Sequence, residues 1–293
     1  MSTVTLTLSK QEIQALKQKF PQAIVRKTPP YAIYQIKTSD CMITAYESLK
    51  VVFQGIGASV YASAYQAIPS KTKKPTSQQK STFPQCGSDE VGTGDYFGPI
   101  SVCATYVEEK NIPLLKSLKI QDSKAVNDDI IRKIAPTLME VLPYSLLILD
   151  NAKYNQIHNT NNMVAIKSKL HNQAFVHLRN KLNGLPSLCI IDQFVQGSSY
   201  YRYLSHESDV VSTIHFETKA ENKYLSVACG SIIARYAFLK AFDNMSAHYD
   251  FVFLKGAGAK VDQNIREFVD RFGKEELNNV AKVHFINTTK AFK

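Results

Sequence analysis

The alternation of apolar and polar residues near the amino terminus predicts a small unit of strands and helices. Residues 3–8 alternate threonine with valine and leucine, as a half-buried strand does. Ser9 follows, and Glu12 stands at the capping-box position, so a helix is predicted over residues 10–19. Further elements are predicted as strands over residues 31–37, 41–46 and 50–54, and as a helix or turn over residues 58–65.

Beyond residue 85, short apolar runs alternate with longer segments of helical periodicity. Strands are predicted over residues 98–107, 144–150 and 187–191, and helices over residues 125–142, 163–182 and 223–242. The last helix starts with small residues, including Ala228, Gly230 and Ser231, which allow close packing on a sheet. Strands that alternate with helices are typical of a central, partly parallel sheet. We therefore expect an α/β fold.

A polar segment separates these two parts of the chain. Residues 69–84 read PSKTKKPTSQQKSTFP, and Phe83 is their only large apolar residue. Such a composition is typical of a linker. The sequence therefore predicts an amino-terminal domain over residues 1–68, a linker over residues 69–84 and a larger domain over residues 85–293.

Positive charge is concentrated at the amino-terminal end. The chain has a net charge of +10, and residues 1–85 carry 11 Lys/Arg against 3 Asp/Glu. A basic unit favours a polyanionic partner, and nucleic acid before membrane, because no Lys/Arg-rich amphipathic helix with bulky apolar residues is present. A merely solubilising basic surface remains the alternative.

Other features of the composition point to a reduced intracellular compartment. The five cysteines are scattered without CxxC spacing, so we expect reduced core residues rather than disulfides or a zinc site. The amino terminus lacks the pattern of a signal peptide, and no run reaches the roughly 18 apolar residues of a membrane span. We expect a cytoplasmic protein without a membrane partner, and a monomer, since no self-associating apolar surface stands out.

The most informative segment is GSDEVGTGDYFGP, residues 87–99. It places Asp89 and Glu90 directly before a turn made of Gly92, Thr93 and Gly94. Adjacent carboxylates repel each other and are costly to desolvate, so a cation is expected to neutralise them. The glycines allow a polymer backbone to approach the peptide closely. This combination predicts metal-assisted chemistry on a phosphodiester.

Two distant acids complete the predicted site. Asp192 ends an apolar strand, and Glu221 directly precedes the small-residue helix. Ligand sites of open α/β sheets gather outside strand ends, so these acids can meet Asp89 and Glu90. Four carboxylates suit Mg²⁺ or Mn²⁺, with two ions during catalysis. Because neighbouring residues of a regular strand face opposite sides, we expect the backbone to bend near Glu90. In isolation, Asp192 is more often a turn residue and Glu221 a helix-start acid.

Five motifs together resemble bacterial ribonuclease HIII, a type 2 ribonuclease H. They are DEVGTGDYFGP, the DSK of residues 122–124, the LHNQA of residues 170–174, CIIDQF around Asp192, and TKAENKYLSVACGSIIARYAFL of residues 218–239. Ribonuclease HII is a weaker match, since it has a basic residue where this chain has Thr93 and an aspartate where it has Glu221. The resemblance implies a ribonuclease H-like mixed sheet flanked by helices, with a small amino-terminal α+β domain that is TBP-like and binds the substrate.

The resemblance also implies the reaction and the residues that carry it. The expected activity is endonucleolytic hydrolysis of the RNA strand of RNA/DNA hybrids by a two-metal-ion mechanism, which leaves 5′-phosphate and 3′-hydroxyl ends. The implied metal ligands and catalytic residues are Asp89, Glu90, Asp192 and Glu221, and the implied substrate-binding residues are Gly92, Thr93, Gly94, Lys124, Lys167 and Lys219. The glycine turn would meet the minor groove, where the 2′-hydroxyl distinguishes RNA from DNA.

Three alternatives remain open. The first is incision at single ribonucleotides embedded in duplex DNA, as ribonuclease HII does, although Thr93 argues against it. The second is a non-catalytic nucleic-acid-binding protein, and the third a metal-dependent phosphatase for small substrates. For His171 in the LHNQA motif, a packing role is favoured over one in the cleft.

Overall fold

A computed structural model of the chain describes residues 3–20, 24–25 for the backbone alone, 31–63, 65, 82–120 and 127–292. The chain divides into two compact units, Met1–Thr76 and Ser77–Lys293. Each unit has its own sheet and its own hydrophobic core.

In its described residues, the amino-terminal unit contains a five-stranded antiparallel sheet and two helices. Its strands are β1 (Thr3–Thr7), β2 (Ile24–Val25), β3 (Ala32–Lys37), β4 (Cys41–Tyr46) and β5 (Lys50–Gly55), in the order β1-β5-β4-β3-β2. Its helices are α1 (Lys10–Gln18) and α2 (Ala58–Ser63). The predicted capping box is confirmed, because Ser9 and Glu12 exchange hydrogen bonds at the start of α1.

The larger unit contains a mixed five-stranded sheet in the order β10-β9-β6-β7-β8. The strands are β6 (Gln85–Val91), β7 (Ile100–Val107), β8 (Tyr144–Leu149), β9 (Leu188–Asp192) and β10 (Ile214–Glu217). Strand β9 is parallel to both β6 and β10, whereas β7 is antiparallel to both β6 and β8. The predicted α/β class with a mixed central sheet is therefore confirmed.

Helices cover both faces of this sheet. They are α3 (Ile112–Ser117), α4 (Asp128–Val141), α5 (Asn151–His158), α6 (Met163–Leu182), α7 (Gly197–Tyr203), α8 (Leu225–Tyr249), α9 (Ala259–Phe272), α10 (Leu277–Val280) and α11 (Ile286–Lys290), with short 3₁₀ helices at Glu109–Asn111 and Ala220–Asn222. One core layer contains apolar side chains of α4, α8 and α9. The other contains side chains of α6 and α7.

Helix α8 lies unusually close to the sheet, as its small residues predict. A Cβ atom at Gly87 would stand 2.4 Å from the backbone nitrogen of Val227, and one at Gly230 would stand 2.7 Å from the carbonyl oxygen of Cys103. Both contacts require glycine. By length and composition α8 could cross a membrane, but 72% of its most apolar window is buried inside the protein. It is the central core helix of this unit.

The cysteines are free and buried, as expected for reduced core residues. They are Cys41 in the amino-terminal unit and Cys86, Cys103, Cys189 and Cys229 in the larger unit.

Candidate functional site

The parallel pairing of β6 and β9 brings three of the four predicted acids to one edge of the sheet. Ser88 in β6 pairs with Ile191 in β9, so Asp89 and Asp192 follow at the carboxyl ends of neighbouring strands. Glu90 is the next residue along β6. The sequence motif does not predict a regular strand through these acids, because the glycines that follow them indicate a turn.

The expected bend near Glu90 is absent. The ladder between β6 and β7 runs without interruption through Asp89, Glu90 and Val91. The two acids therefore leave the strand on opposite faces. Asp89 is hydrogen-bonded to Ser231 of α8, whereas Glu90 contacts α6. The bend is expected only if both acids must lie on the same face of the sheet. Near the end of a strand, side chains on either face of the sheet can lie at the same edge.

Glu90 is held by two residues of α6. Its Oε1 forms an ion pair with Lys167, and its Oε2 accepts a hydrogen bond of 2.9 Å from Nε2 of His171. Nδ1 of His171 lies 2.7 Å from Oγ of Ser88. Lys167 and His171 are four residues apart and so share one face of the helix. Burial raises the pKa of Glu90, but the hydrogen bond and charge of His171 and the ammonium of Lys167 outweigh it and lower the pKa overall.

The ring of Phe194 supports both of these side chains. It stacks on His171 at a centroid distance of 5.2 Å, and Nζ of Lys167 lies 4.0 Å from its centroid. The favoured packing role for His171 is therefore incomplete, because its buried ring also fixes a predicted metal ligand. The motif could have signalled this, since His171 follows Lys167 at helical spacing.

Asp89 is in a different electrostatic environment. Burial, and then the charges of Glu90 and Asp192, raise its pKa to about 7. The hydrogen bonds from Ser231 and from the backbone N–H of Glu90, the latter 2.8 Å, act in the opposite direction. A nearby cation would lower this raised pKa and so keep the carboxyl group of Asp89 ionised.

Glu221 is the least satisfied of the four acids. It lies in the 3₁₀ helix before α8, and the backbone N–H of the preceding Ala220 donates to Oδ1 of Asp192 at 3.0 Å. Its Oε1 accepts from the side chain of Asn222 at 2.5 Å. Its Oε2 is buried and, among the described residues, has no hydrogen-bond partner. Burial and the charge of Asp192 raise the pKa of Glu221.

A cavity of about 400 Å³ opens beside these acids. Its lining includes Glu90, Val91, Gly92, Thr93, Gly94, Ile120, Asp128, Ile131, Glu221, Ala228, Ser231, Ile232 and Arg235. Gly92 has a φ of +94°, which favours glycine, and a Cβ there would stand 2.2 Å from the carbonyl oxygen of Pro99. No atom lies within 4 Å of a Cβ built at Gly94, so the turn is open toward a ligand.

A buried lysine donates hydrogen bonds to the backbone of the segment after the glycine turn, a role that the sequence did not predict. Lys282 is fully buried, and its ammonium donates to the carbonyl oxygens of Asp95 at 2.8 Å and Gly98 at 2.5 Å. The side chain of Asn151 donates to the same Gly98 oxygen at 2.9 Å. Burial lowers the pKa of Lys282 to about 7, although the charge of Asp95 opposes this. The only signal was the apolar context of this lysine, between Ala281 and Val283.

The predicted lysine contacts have different positions. Lys167 is engaged with Glu90. Lys219 is exposed, adopts a left-handed backbone conformation and acts electrostatically on Glu221. Lys124 lies outside the described residues.

The residues at this edge of the sheet partly fit a divalent cation. Four oxygen-donating carboxylates, a raised pKa at Asp89 and an unpartnered oxygen on Glu221 are what a hard cation would satisfy. Within the described parts of the chain, however, no three His, Cys, Asp or Glu side chains are grouped closely enough to hold a metal ion. Coordination of one ion by three of these acids therefore requires side-chain positions that differ from those described.

Each of the two units matches a known family, and whole-chain relatives are also found. Residues 86–288 match the family described as Ribonuclease HII, and residues 3–79 match a domain of unknown function, DUF3378. The Ribonuclease HIII of Bacillus mycoides (strain KBAB4) is 42% identical over all of this chain and 98% of its own length, and that of Bacillus cereus (strain ATCC 10987 / NRS 248) is 41% identical with the same coverage.

Solved structures agree with these sequence relatives. The crystal structure of Bst-RNase HIII in complex with Mn²⁺ has a TM-score of 0.69 and 38% identity, and the match covers 99% of this chain and 98% of that one. The ribonuclease H2 from Pyrococcus horikoshii OT3, at 22% identity and a TM-score of 0.58, shares the fold over 70% of this chain and 95% of its own.

Proposed function

Because the chain belongs to the ribonuclease HIII family and is therefore a ribonuclease H, we propose that it cleaves the RNA strand of RNA/DNA hybrids internally, leaving 5′-phosphate and 3′-hydroxyl ends. The observation that carries this proposal is the placement of Asp89, Glu90 and Asp192 at the edge of the sheet where two parallel strands stop pairing, with the charge of Asp192 acting on Glu221. An open glycine turn lies beside them.

We assign the four acids as ligands for two divalent ions, Mg²⁺ or Mn²⁺. When bound, such ions polarise a phosphoryl oxygen and make water a stronger nucleophile at neutral pH. The chain supplies the rest of the site. Lys167 and His171 keep the Glu90 carboxylate ionised and oriented, and Ser231 orients Asp89. The unpartnered Oε2 of Glu221 is the atom that gains most from a cation.

Substrate recognition is assigned to the glycine turn and to flanking cations. The backbone of Gly92, Thr93 and Gly94 can approach the minor groove of a hybrid closely, where the 2′-hydroxyl marks the RNA strand. Lys124 and Lys219 are assigned as phosphate contacts.

The amino-terminal domain is proposed to add affinity for the substrate. We place it at residues 1–68, with a linker over residues 69–84 and the catalytic domain over residues 85–293. Its positive charge suits sequence-independent contacts with phosphates. The division between the two compact units after Thr76 supports a linker in this region.

The test is cleavage of an end-labelled RNA/DNA hybrid by the full chain, with Mg²⁺, with Mn²⁺ and with a chelator. We expect internal cuts in the RNA strand that depend on the divalent ion and are lost in Asp89→Asn. A duplex with one embedded ribonucleotide serves as the second substrate. Preferential cutting of that duplex would overturn the proposed specificity, and binding without any cleavage would overturn the enzymatic proposal for this chain.

A further inference from the structure

One face of α8 connects the carboxylates to a pair of cations. Ala228, Ser231, Ile232 and Arg235 follow one another at helical spacing, and all line the cavity. Ser231 is hydrogen-bonded to Asp89, and Arg235 lies one turn further, about 6 Å along the helix axis. The cavity thus has acids at one end and a guanidinium within about one turn of them.

Asp128, at the start of α4, holds this guanidinium at the cavity wall. Nε and Nη2 of Arg235 lie 2.9 Å and 3.2 Å from the two oxygens of Asp128. Nζ of Lys255 lies 2.5 Å from the same carboxylate. Two cations therefore share one carboxylate, which leaves a net positive charge at this end. Three of the five N–H groups of Arg235 are not used by Asp128.

A second arginine–aspartate pair joins α4 and α8 without an additional lysine among the described residues. The group of Arg235, Asp128 and Lys255 therefore contains more positive charge than is needed to join these two helices. Arg132 of α4 and Asp243 of α8 form a bidentate pair with distances of 2.6 Å and 2.9 Å. It joins the same two helices about 12 Å further along α8. Neither residue lines the cavity, and the pair has one cation for one carboxylate. The additional lysine and the position on the cavity wall are particular to Arg235 and Asp128.

We propose that Arg235, with Lys255 beside it, binds a backbone phosphate of the nucleic acid next to the scissile position, and that Asp128 orients the guanidinium while no substrate is bound. The proposal rests on the proposed function, since the ligand is the phosphodiester backbone of that substrate. A guanidinium is suited to this role because its planar N–H groups match phosphate oxygens in pairs. A phosphate then competes with Asp128 for the two cations.

The experiment measures binding of a fluorescent RNA/DNA hybrid to the full chain by anisotropy, without divalent ions and between 50 and 200 mM salt. Arg235→Met is expected to weaken binding about tenfold and to reduce the slope of log affinity against log salt by about 0.9. Asp128→Asn is expected to tighten binding, because it frees two cations. A misfolded variant cannot produce that second result.

Matched controls are Arg132→Met and Asp243→Asn, which make the same charge changes in the pair outside the cavity. These controls are expected to keep the affinity within about twofold of the unmodified chain and to leave the salt slope unchanged. Thermal melts show whether the loss of either ion pair between α4 and α8 lowers stability. Equal affinities and slopes for Arg235→Met and Arg132→Met would overturn the proposal, as would unchanged or weaker binding by Asp128→Asn. Cleavage of the same hybrid by the unmodified chain with Mg²⁺ tests the proposed function separately.

Discussion

Next to α6, both oxygens of Glu90 are held, one by Lys167 and the other by His171. On the α8 side, Glu221 has one oxygen bound to the side chain of its neighbour Asn222, and the other is buried without a partner among the described residues. The pKa of the first acid is lowered and that of the second is raised. Two glutamates of one cavity are therefore in opposite electrostatic states.

The difference shows which carboxylate oxygens find partners within the protein and which would need a bound cation. Glu90 is satisfied by residues of its own domain, so its position is set before any ion binds. Glu221 is costly as an ionised group, since a buried oxygen without a partner loses its hydration without compensation. A divalent ion would therefore gain from Glu221 and would have to compete with Lys167 for Glu90.

The largest expected effect comes from Asp192, which acts electrostatically on Asp89 and Glu221 and so links the two sides. Asp192→Asn should lower the rate of hybrid cleavage about 10³-fold, since the Lewis-acid contribution of a metal site amounts to several kcal/mol. The fold should persist, because the amide oxygen can still accept from Ala220. Single-turnover cleavage assays and a thermal melt check this. Near-normal cleavage would exclude Asp192 from the metal site.

The next effect compares the two glutamates directly through the free energy of unfolding without divalent ions. Glu90→Gln leaves the largely buried ammonium of Lys167 without its counter-ion and should cost about 3 kcal/mol. Glu221→Gln removes an unfavourable buried charge and should change stability by less than about 1 kcal/mol. Urea titrations of both variants measure the difference. Equal losses would show that the two acids are supported alike.

A smaller effect is expected from the residue that orients Glu90. His171→Ala should reduce kcat about 10- to 100-fold if Glu90 is a metal ligand as proposed, since a metal ligand depends on the residue that hydrogen-bonds to it. KM for the hybrid should change little, because His171 is buried and faces Glu90. His171→Gln can still donate to the carboxylate and should restore part of the rate. If His171→Ala lowers stability but leaves kcat unchanged, His171 has only a packing role.

The last expected effect is on the pH dependence of stability and concerns Lys282, which contacts the segment after the glycine turn. Its pKa is about 7 in the folded chain and about 10.4 when unfolded, so the unfolded state binds more protons between these values. This lysine should therefore make the free energy of unfolding rise with pH from 7 to 10.4, by at most about 1.4 kcal/mol per pH unit. Lys282→Met should lack this rise. Urea titrations of both proteins at several pH values measure it, and parallel curves would contradict it.

Sequence patterns predicted the α/β class and several of its elements because burial leaves a periodic signal. The helix Met163–Leu182 has the predicted ends, and the close packing of α8 follows from its small residues. Helix α8 runs over Leu225–Tyr249, so the predicted helix over residues 223–242 starts two residues early and ends seven residues short. Strand β6 was not predicted, because its acids and glycines obscure the alternation of a strand. Strand β10 and the helices α3, α5, α7 and α9–α11 were not predicted either.

The motifs name the four acids as candidate ligands, but they do not reveal the partners of these acids. A single sequence shows that Lys167 and His171 share a helix face, and it does not show which strand that face meets. Likewise, nothing local links Lys282 to Gly98, which lies 184 positions earlier in the chain. Such contacts depend on the crossing of distant elements and become visible only in three dimensions.

The opposite orientation of Asp89 and Glu90 has a consequence for how this protein can vary. One carboxylate rests on the layer of α8 and the other on the layer of α6, so each layer controls one half of the donor set. A substitution that shifts a single layer by a few tenths of an ångström alters the spacing between the acids while leaving each local environment intact. If the four acids hold divalent ions as proposed, a change that shifts one core is expected to lower the cleavage rate unless the second core shifts with it.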